Sequence, residues 1–142
     1  MTLGNDILIS CKTKIHCANN IEIGSHNRIS WESQIFDTNM HYIDDNGIVR
    51  NNKGTVKIGN YCWIGNRCTL QKGTNLPDYT IVASNSLVNK DFTTSPSGIV
   101  GGTPAKLIKE GPRRIFDSQL EIVLDQWFRT RPTENSVAIS DL

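Results

Sequence analysis

The chain has 142 residues, enough for one domain with a real core. Its formal net charge is +1, so no strong field draws it to nucleic acid or to an anionic membrane. Aromatic content is only 7%, low for an ordinary packed globule, while Asn is abundant and Gly numbers 11, which suits many tight turns.

The first element in chain order is a loose six-residue repeat. Cys11, Cys17, Ile23, Ile29 and Ile35 follow one another at that spacing in the aliphatic slot, and Ile9, Ile15 and Ile21 fill the slot two places before Cys11, Cys17 and Ile23. Residues 1–10 lack the basic start and long apolar stretch of a signal peptide. The register then fails between Ile35 and Ile58, a gap of 23 residues that is not a multiple of six. Residues 36–55 are polar, with Asp37, Asn39, His41, Asp44, Asp45, Asn46 and Gly47 among them, and read as a loop thrown out from a rigid scaffold, a common place for function.

From Ile58 the repeat is strict. Ile58, Ile64, Leu70, Leu76, Val82 and Val88 are all branched aliphatics, and the residues two before them, Val56, Cys62, Cys68, Thr74, Thr80 and Ser86, are all small. Neither a 3.6-residue nor a 2-residue period explains this pattern, but a short strand followed by a turn does. Alternate strand residues point inward together, and stacked coils bury a continuous apolar column. Gly24, Gly59 and Gly65 each follow an aliphatic residue and suit the corner after it. The four cysteines fall in repeat slots and show no CxxC spacing, so they read as small buried hydrophobes in a reducing, cytosolic setting.

A second break runs from Asn89 to Gly98, and the repeat domain, residues 1–110, ends near Glu110. Gly111 and Pro112 punctuate. Phe116, Leu120, Val123, Leu124 and Trp127 then follow helical spacing, which predicts an amphipathic helix over residues 117–129 with Ser118 and Glu121 as its capping box. Residues 111–142 thus form a C-terminal helix and tail. No run approaches the roughly 20 apolar residues of a membrane span.

Several segments together resemble one family. They are Gln34-Ile35-Phe36-Asp37-Thr38-Asn39-Met40-His41, the coil from Val56 to Asn66 with Ile58-Gly59 and Trp63-Ile64-Gly65, the stretch from Ile81 to Asp91, and Gly102-Thr103-Pro104-Ala105-Lys106. In order and spacing they are similar to the hexapeptide-repeat galactoside, maltose and xenobiotic O-acetyltransferases, and to the sugar acetyltransferases of surface-polysaccharide pathways. The resemblance covers roughly residues 15–110. It implies an all-β fold, a left-handed parallel β-helix with a protruding loop and, here, a short C-terminal helix. It also implies transfer of an acetyl group from acetyl-CoA to a saccharide hydroxyl, without a metal, in a homotrimer.

The resemblance places the general base at His41. A hydroxyl is a poor nucleophile at neutral pH, and histidine titrates near the working pH, so it can take the proton and return one to the departing thiolate. Asp37 and Asp44 are candidate orienters of the imidazole, or else turn carboxylates. The oxyanion donor is a backbone N–H or Asn66, where the family often carries Ser. For CoA, Trp63 walls the thioester end, Ser84 meets the pantetheine arm, and Lys90, Lys106 and Lys109 match or neighbour cationic positions near the phosphates. Two other readings compete. One is a non-catalytic or inactive β-helix scaffold. The other is a γ-class carbonic anhydrase-like protein with zinc on His16, His26 and His41, which lack the close pair that such a site needs.

Overall fold

Six-residue spacing gives each strand two inward side chains and then a corner, and three such units close one turn of a coil. In the computed structural model, which describes residues 1–142, β1 (Thr2–Leu3), β2 (Leu8–Ile9) and β3 (Lys14–His16) form the first coil. The second consists of β4 (Asn20–Ile23), β5 (Arg28–Ile29) and β6 (Gln34–Phe36). The chain then leaves the stack, and β7 (Asp44–Asp45) and β8 (Ile48–Val49) pair as a small antiparallel hairpin. The third coil is β9 (Thr55–Ile58), β10 (Trp63–Ile64) and β11 (Thr69–Gln71), and the fourth is β12 (Asn75–Leu76), β13 (Ile81–Val82) and β14 (Leu87–Val88). After the second break β15 (Gly98–Gly102) rejoins the stack, β16 (Ala105–Glu110) doubles back on it, and α1 (Ser118–Thr130) follows.

Equivalent strands stack in parallel into three faces. The first face runs β1-β4-β9-β12, the third β3-β6-β11-β14, and the second β2-β5-β10-β13-β15, closed by antiparallel β16. Ile64 pairs with Val82 and Val82 with Val100, so the aliphatic column continues across the second break. Ile58, Ile64, Leu70, Leu76, Val82 and Val88 are all buried, as are their small partners Cys62, Cys68, Thr74, Thr80 and Ser86. Buried hydroxyls are satisfied at the corners: Thr74 Oγ1 donates to the Gln71 and Val88 carbonyls at 2.7 and 2.8 Å.

The N-terminal register differs from the sequence reading. Ile9 pairs with Ile29 and Ile15 with Ile35, so Ile9 and Ile15 occupy the aliphatic slot of the first coil, beside Leu3 opposite Ile23. The step from Ile15 to Ile23 is longer than a hexad, and the extra residues fall around Cys17 and Ala18. This insertion displaces Cys11 and Cys17 from the slot, and both are exposed, whereas Cys62 and Cys68 are buried as expected.

The corners also turn differently. Gly24 and Gly59 do not swing the chain through positive φ. A Cβ on either would lie 2.6–2.8 Å from atoms of the next coil, so glycine is needed there for close stacking. The left-handed turn comes two residues later, at His26, Glu32, Tyr61, Arg67, Tyr79 and Asn85, all with φ near +60°. His26, Tyr61 and Tyr79 stack one above another along one corner, with centroids 4.6 and 5.0 Å apart, and Phe116 packs edge-on against Tyr61. That contact seats the segment leading into α1. The helix is capped by Asp117, whose carboxylate accepts from the Gln119 and Leu120 N–H groups at 2.9 and 3.2 Å, in place of the Ser118–Glu121 box. None of its residues is buried in the single chain.

Candidate active site

The excursion between β6 and β9 leaves the corner between the third and first faces, and its two ends are tied to the stack. Asp37 is fully buried there. Its carboxylate accepts from the Ala18 and Asn19 N–H groups at 2.8 and 2.7 Å and from the Cys17 thiol at 3.7 Å. Burial pushes the Asp37 carboxyl up, but the donated backbone N–H bonds outweigh it and hold the group below its ordinary value. Both oxygens are therefore committed to the inserted residues of the preceding turn, which corrects the reading of Asp37 as a partner of the imidazole. Asp44 is a turn carboxylate as well: it accepts from the Gly47 N–H at 2.7 Å. Asn46 and Gly47, both at positive φ, make the tight turn of the β7–β8 hairpin. The Asn46-Gly47 pair is the signal in the sequence that announces this hairpin.

His41 stands on the outgoing limb of the loop and is exposed. The limb is braced against the returning one: Thr38 bridges to Lys53, the Asn39 N–H donates to the Asn52 carbonyl at 2.8 Å, and the Gly54 N–H donates to the Asp37 carbonyl at 2.7 Å. His41 lines a cavity of about 240 Å³ with Asn39, Asp45, Arg50, Asn52 and Lys72 among the other lining residues. Lys72, from the corner after β11, reaches the loop by donating to the Asn51 carbonyl at 2.8 Å. Arg50, Asn52 and Lys72 do not stand out in the sequence, because only the folded loop brings them to the histidine.

Asn66 and Ser84 lie on the corner between the second and third faces, one coil apart. The Ser84 hydroxyl donates to Asn66 Oδ1 at 2.5 Å, which pins the amide and leaves its Nδ2 hydrogens free to point elsewhere. Trp63, on β10, is 41% exposed on the second face, and its indole N–H donates to Ser30 Oγ at 3.3 Å. Lys106 and Lys109 lie exposed on β16, on the same face. Lys90 follows β14 at the third–first corner, its ammonium 5.1 Å from the centroid of the Phe92 ring. Gly102, at φ +103°, opens the turn from β15 to β16. None of these residues lines the His41 cavity. Two further cavities, of about 590 and 500 Å³, share Lys14 and Gln34 and form a polar trough across the third face from Arg67 to Met40. His16 lies on that face and His26 on the first–second corner, paired through Nδ1 with Asp6 at 3.0 Å, so the three histidines occupy separate places.

No family model matches the chain. It is 36% identical over 76 residues to a chloramphenicol acetyltransferase of Morganella morganii, an alignment covering 53% of this chain and 34% of the relative. It is 39% identical over 77 residues to a probable macrolide acetyltransferase of Lysinibacillus sphaericus, covering 54% and 40%. The polySia-specific acetyltransferase NeuO superposes with a TM-score of 0.72 at 22% identity, over 96% of this chain and 61% of NeuO. The polysialic acid O-acetyltransferase OatWY does so with a TM-score of 0.56 at 25% identity, over 88% and 69%. The chain is similar to the hexapeptide-repeat acetyltransferases. Its coil is the left-handed parallel β-helix of those hexapeptide-repeat enzymes. It spans about a third to two fifths of the length of the curated acetyltransferases it matches.

Proposed function

We propose that the protein transfers an acetyl group from acetyl-CoA to a hydroxyl of a saccharide-type acceptor, with His41 as general base and no metal. The observation that carries this reading is the placement of His41: an exposed imidazole on a braced loop, lining a cavity at the edge of a rigid stack. The related acetyltransferases support the reaction class, and the polar trough beside the loop supports an acceptor rich in hydroxyls.

In the proposed reaction His41 takes the proton from the acceptor hydroxyl as its oxygen attacks the thioester carbonyl. The tetrahedral oxyanion is met by a backbone N–H or by the Asn66 amide, which the Ser84 contact pre-orients. The C–S bond then breaks, the imidazolium returns the proton to the CoA thiolate, and the acetyl ester leaves with the acceptor. No covalent acyl-enzyme forms. CoA lies along the coil edge bearing Trp63 and Ser84, with Lys106 and Lys109 of the same chain, and Lys90 on the His41 edge of the neighbouring chain, as cationic partners of its phosphates.

His41 and the Asn66–Ser84 pair sit on two different edges of one prism, separated by the third face. We therefore propose a homotrimer in which His41 of one chain meets CoA held by its neighbour, with threefold closure repeating the site. Acetyl-CoA as cosubstrate places the reaction in the cytosol. The test is an acetyl-CoA turnover screen against a panel of sugars and nucleotide sugars. The expected result is CoA release coupled to an ester on the acceptor. Failure to bind acetyl-CoA would favour the non-catalytic scaffold.

A further inference from the structure

Residues 39–51 of the loop are all exposed, and Asn52 is the exception, with 8% of its surface accessible. Its Nδ2 donates to the Met40 carbonyl at 3.2 Å, and its own carbonyl accepts from the Asn39 N–H at 2.8 Å. Asn52 thus grips the two residues that precede His41. Its remaining polar atom, Oδ1, is buried and has no hydrogen-bond partner. A buried acceptor left unpaired costs stability, and such atoms in folded proteins mark a role beyond packing.

The donors near this oxygen can be sorted. The backbone N–H groups of Asn39, Met40 and His41 are committed to the Asn52 carbonyl, Thr38 Oγ1 and the Asn39 carbonyl. Lys72 is committed to the Asn51 carbonyl. Among side chains, the donors left on the shared cavity are those of Asn39, Arg50 and Asn51 and the imidazole of His41. An amide anchored on the Met40 carbonyl sits one residue from that imidazole. Asp37 and Asp44 accept from backbone N–H groups elsewhere, and Asp45, on the same cavity, accepts from the Asn46 side chain at 3.1 Å; none of the three carboxylates is hydrogen-bonded to the imidazole.

We infer that Asn52 is the positioning residue of the site: its Oδ1, unpaired in this structure, takes Nδ1–H of His41 when the exposed imidazole turns onto it, which leaves Nε2 unprotonated and facing the cavity as the base. The inference rests on the proposed role of His41. A neutral acceptor fixes the tautomer and the ring orientation without adding charge beside the base. The Nε2–H form, which predominates in an unconstrained histidine, would put the proton on the nitrogen that must receive one.

The test uses the full chain with 15N-labelled histidine and two variants. Asn52→Leu keeps the side-chain volume and removes both polar atoms. Asn52→Asp keeps an acceptor oxygen and removes the Nδ2 donor. If Asn52 only straps the loop through Met40, both variants lose the strap and behave alike. If Oδ1 holds the imidazole, Asn52→Asp retains the Nδ1–H signal and Asn52→Leu loses it. The imidazole nitrogens of His16 and His26 report in the same spectrum that each variant is folded. In turnover, Asn52→Leu should lower kcat at least about tenfold with the acetyl-CoA KM little changed, and Asn52→Asp should recover part of the loss. An Nε2–H signal for His41 in the unsubstituted protein, or indistinguishable spectra for the two variants, would overturn the inference. The tautomer is read without substrate, so this outcome is separate from whether any acceptor is turned over.

Discussion

At the residue scale, Asp37 is a buried carboxylate whose charge is held by backbone N–H groups of a neighbouring turn. Its folded-state value lies below the ordinary carboxylate value, so its contribution to stability is present above about pH 4 and is lost as pH falls through the depressed value. Replacing Asp37 with Asn should cost about 1–3 kcal/mol at neutral pH and should flatten the acid side of the stability profile. Chemical denaturation at a series of pH values checks this, and parallel acid limbs in the two proteins would contradict it. The thiols divide in the same local way. Burial pushes the Cys62 thiol up to about 12 and raises Cys68 as well, while Cys11 and Cys17 are exposed. A thiol reagent at neutral pH should modify Cys11 and Cys17 in the folded chain, and Cys62 and Cys68 only on unfolding. Equal rates at all four would contradict the register described above.

At the element scale, the coils differ in how well they are covered. The first coil leaves Leu3 47% and Leu8 51% exposed, whereas Ile58 to Val88 form a closed column. Amide exchange should therefore be faster across β1–β3 than across β9–β14, and uniform protection would mean that a partner covers the first coil. The strict part of the fold was legible in the sequence because two slots repeat together from Val56 to Val88. The hexad spacing misplaces the first coil, because an insertion around Cys17 leaves Cys11 and Cys17 in step with Ile23 by coincidence, and small residues tolerate either register. The sequence points to Ser118 as the cap of α1 and the structure uses Asp117, since both are good caps and only geometry chooses between them. In the loop, His41 was legible as chemistry. The hairpin turn is encoded locally by Asn46-Gly47, but the commitment of Asp37 and the burial of Asn52 depend on contacts across 12 to 19 residues of sequence, which no local pattern encodes.

At the scale of the whole molecule, the candidate base and the candidate CoA edge stand on separate edges of one prism, and the loop carries exposed Met40, Tyr42, Ile43, Ile48 and Val49. Apolar surface on a projecting loop is what a contact with a neighbouring chain requires. Mixed assemblies test the shared site. Chains with His41→Ala, reassembled with chains impaired only in CoA binding, should recover part of the activity that each lacks alone. A monomer on sedimentation, or no recovery despite proven mixing, would contradict it. The central claim is that acetyl transfer runs through His41, and the most direct measurement follows labelled acetyl from acetyl-CoA to an acceptor found in the screen. His41→Ala should keep the fold and the affinity for CoA and lose turnover by about 100- to 10,000-fold. Near-normal transfer by His41→Ala on that acceptor would contradict the account.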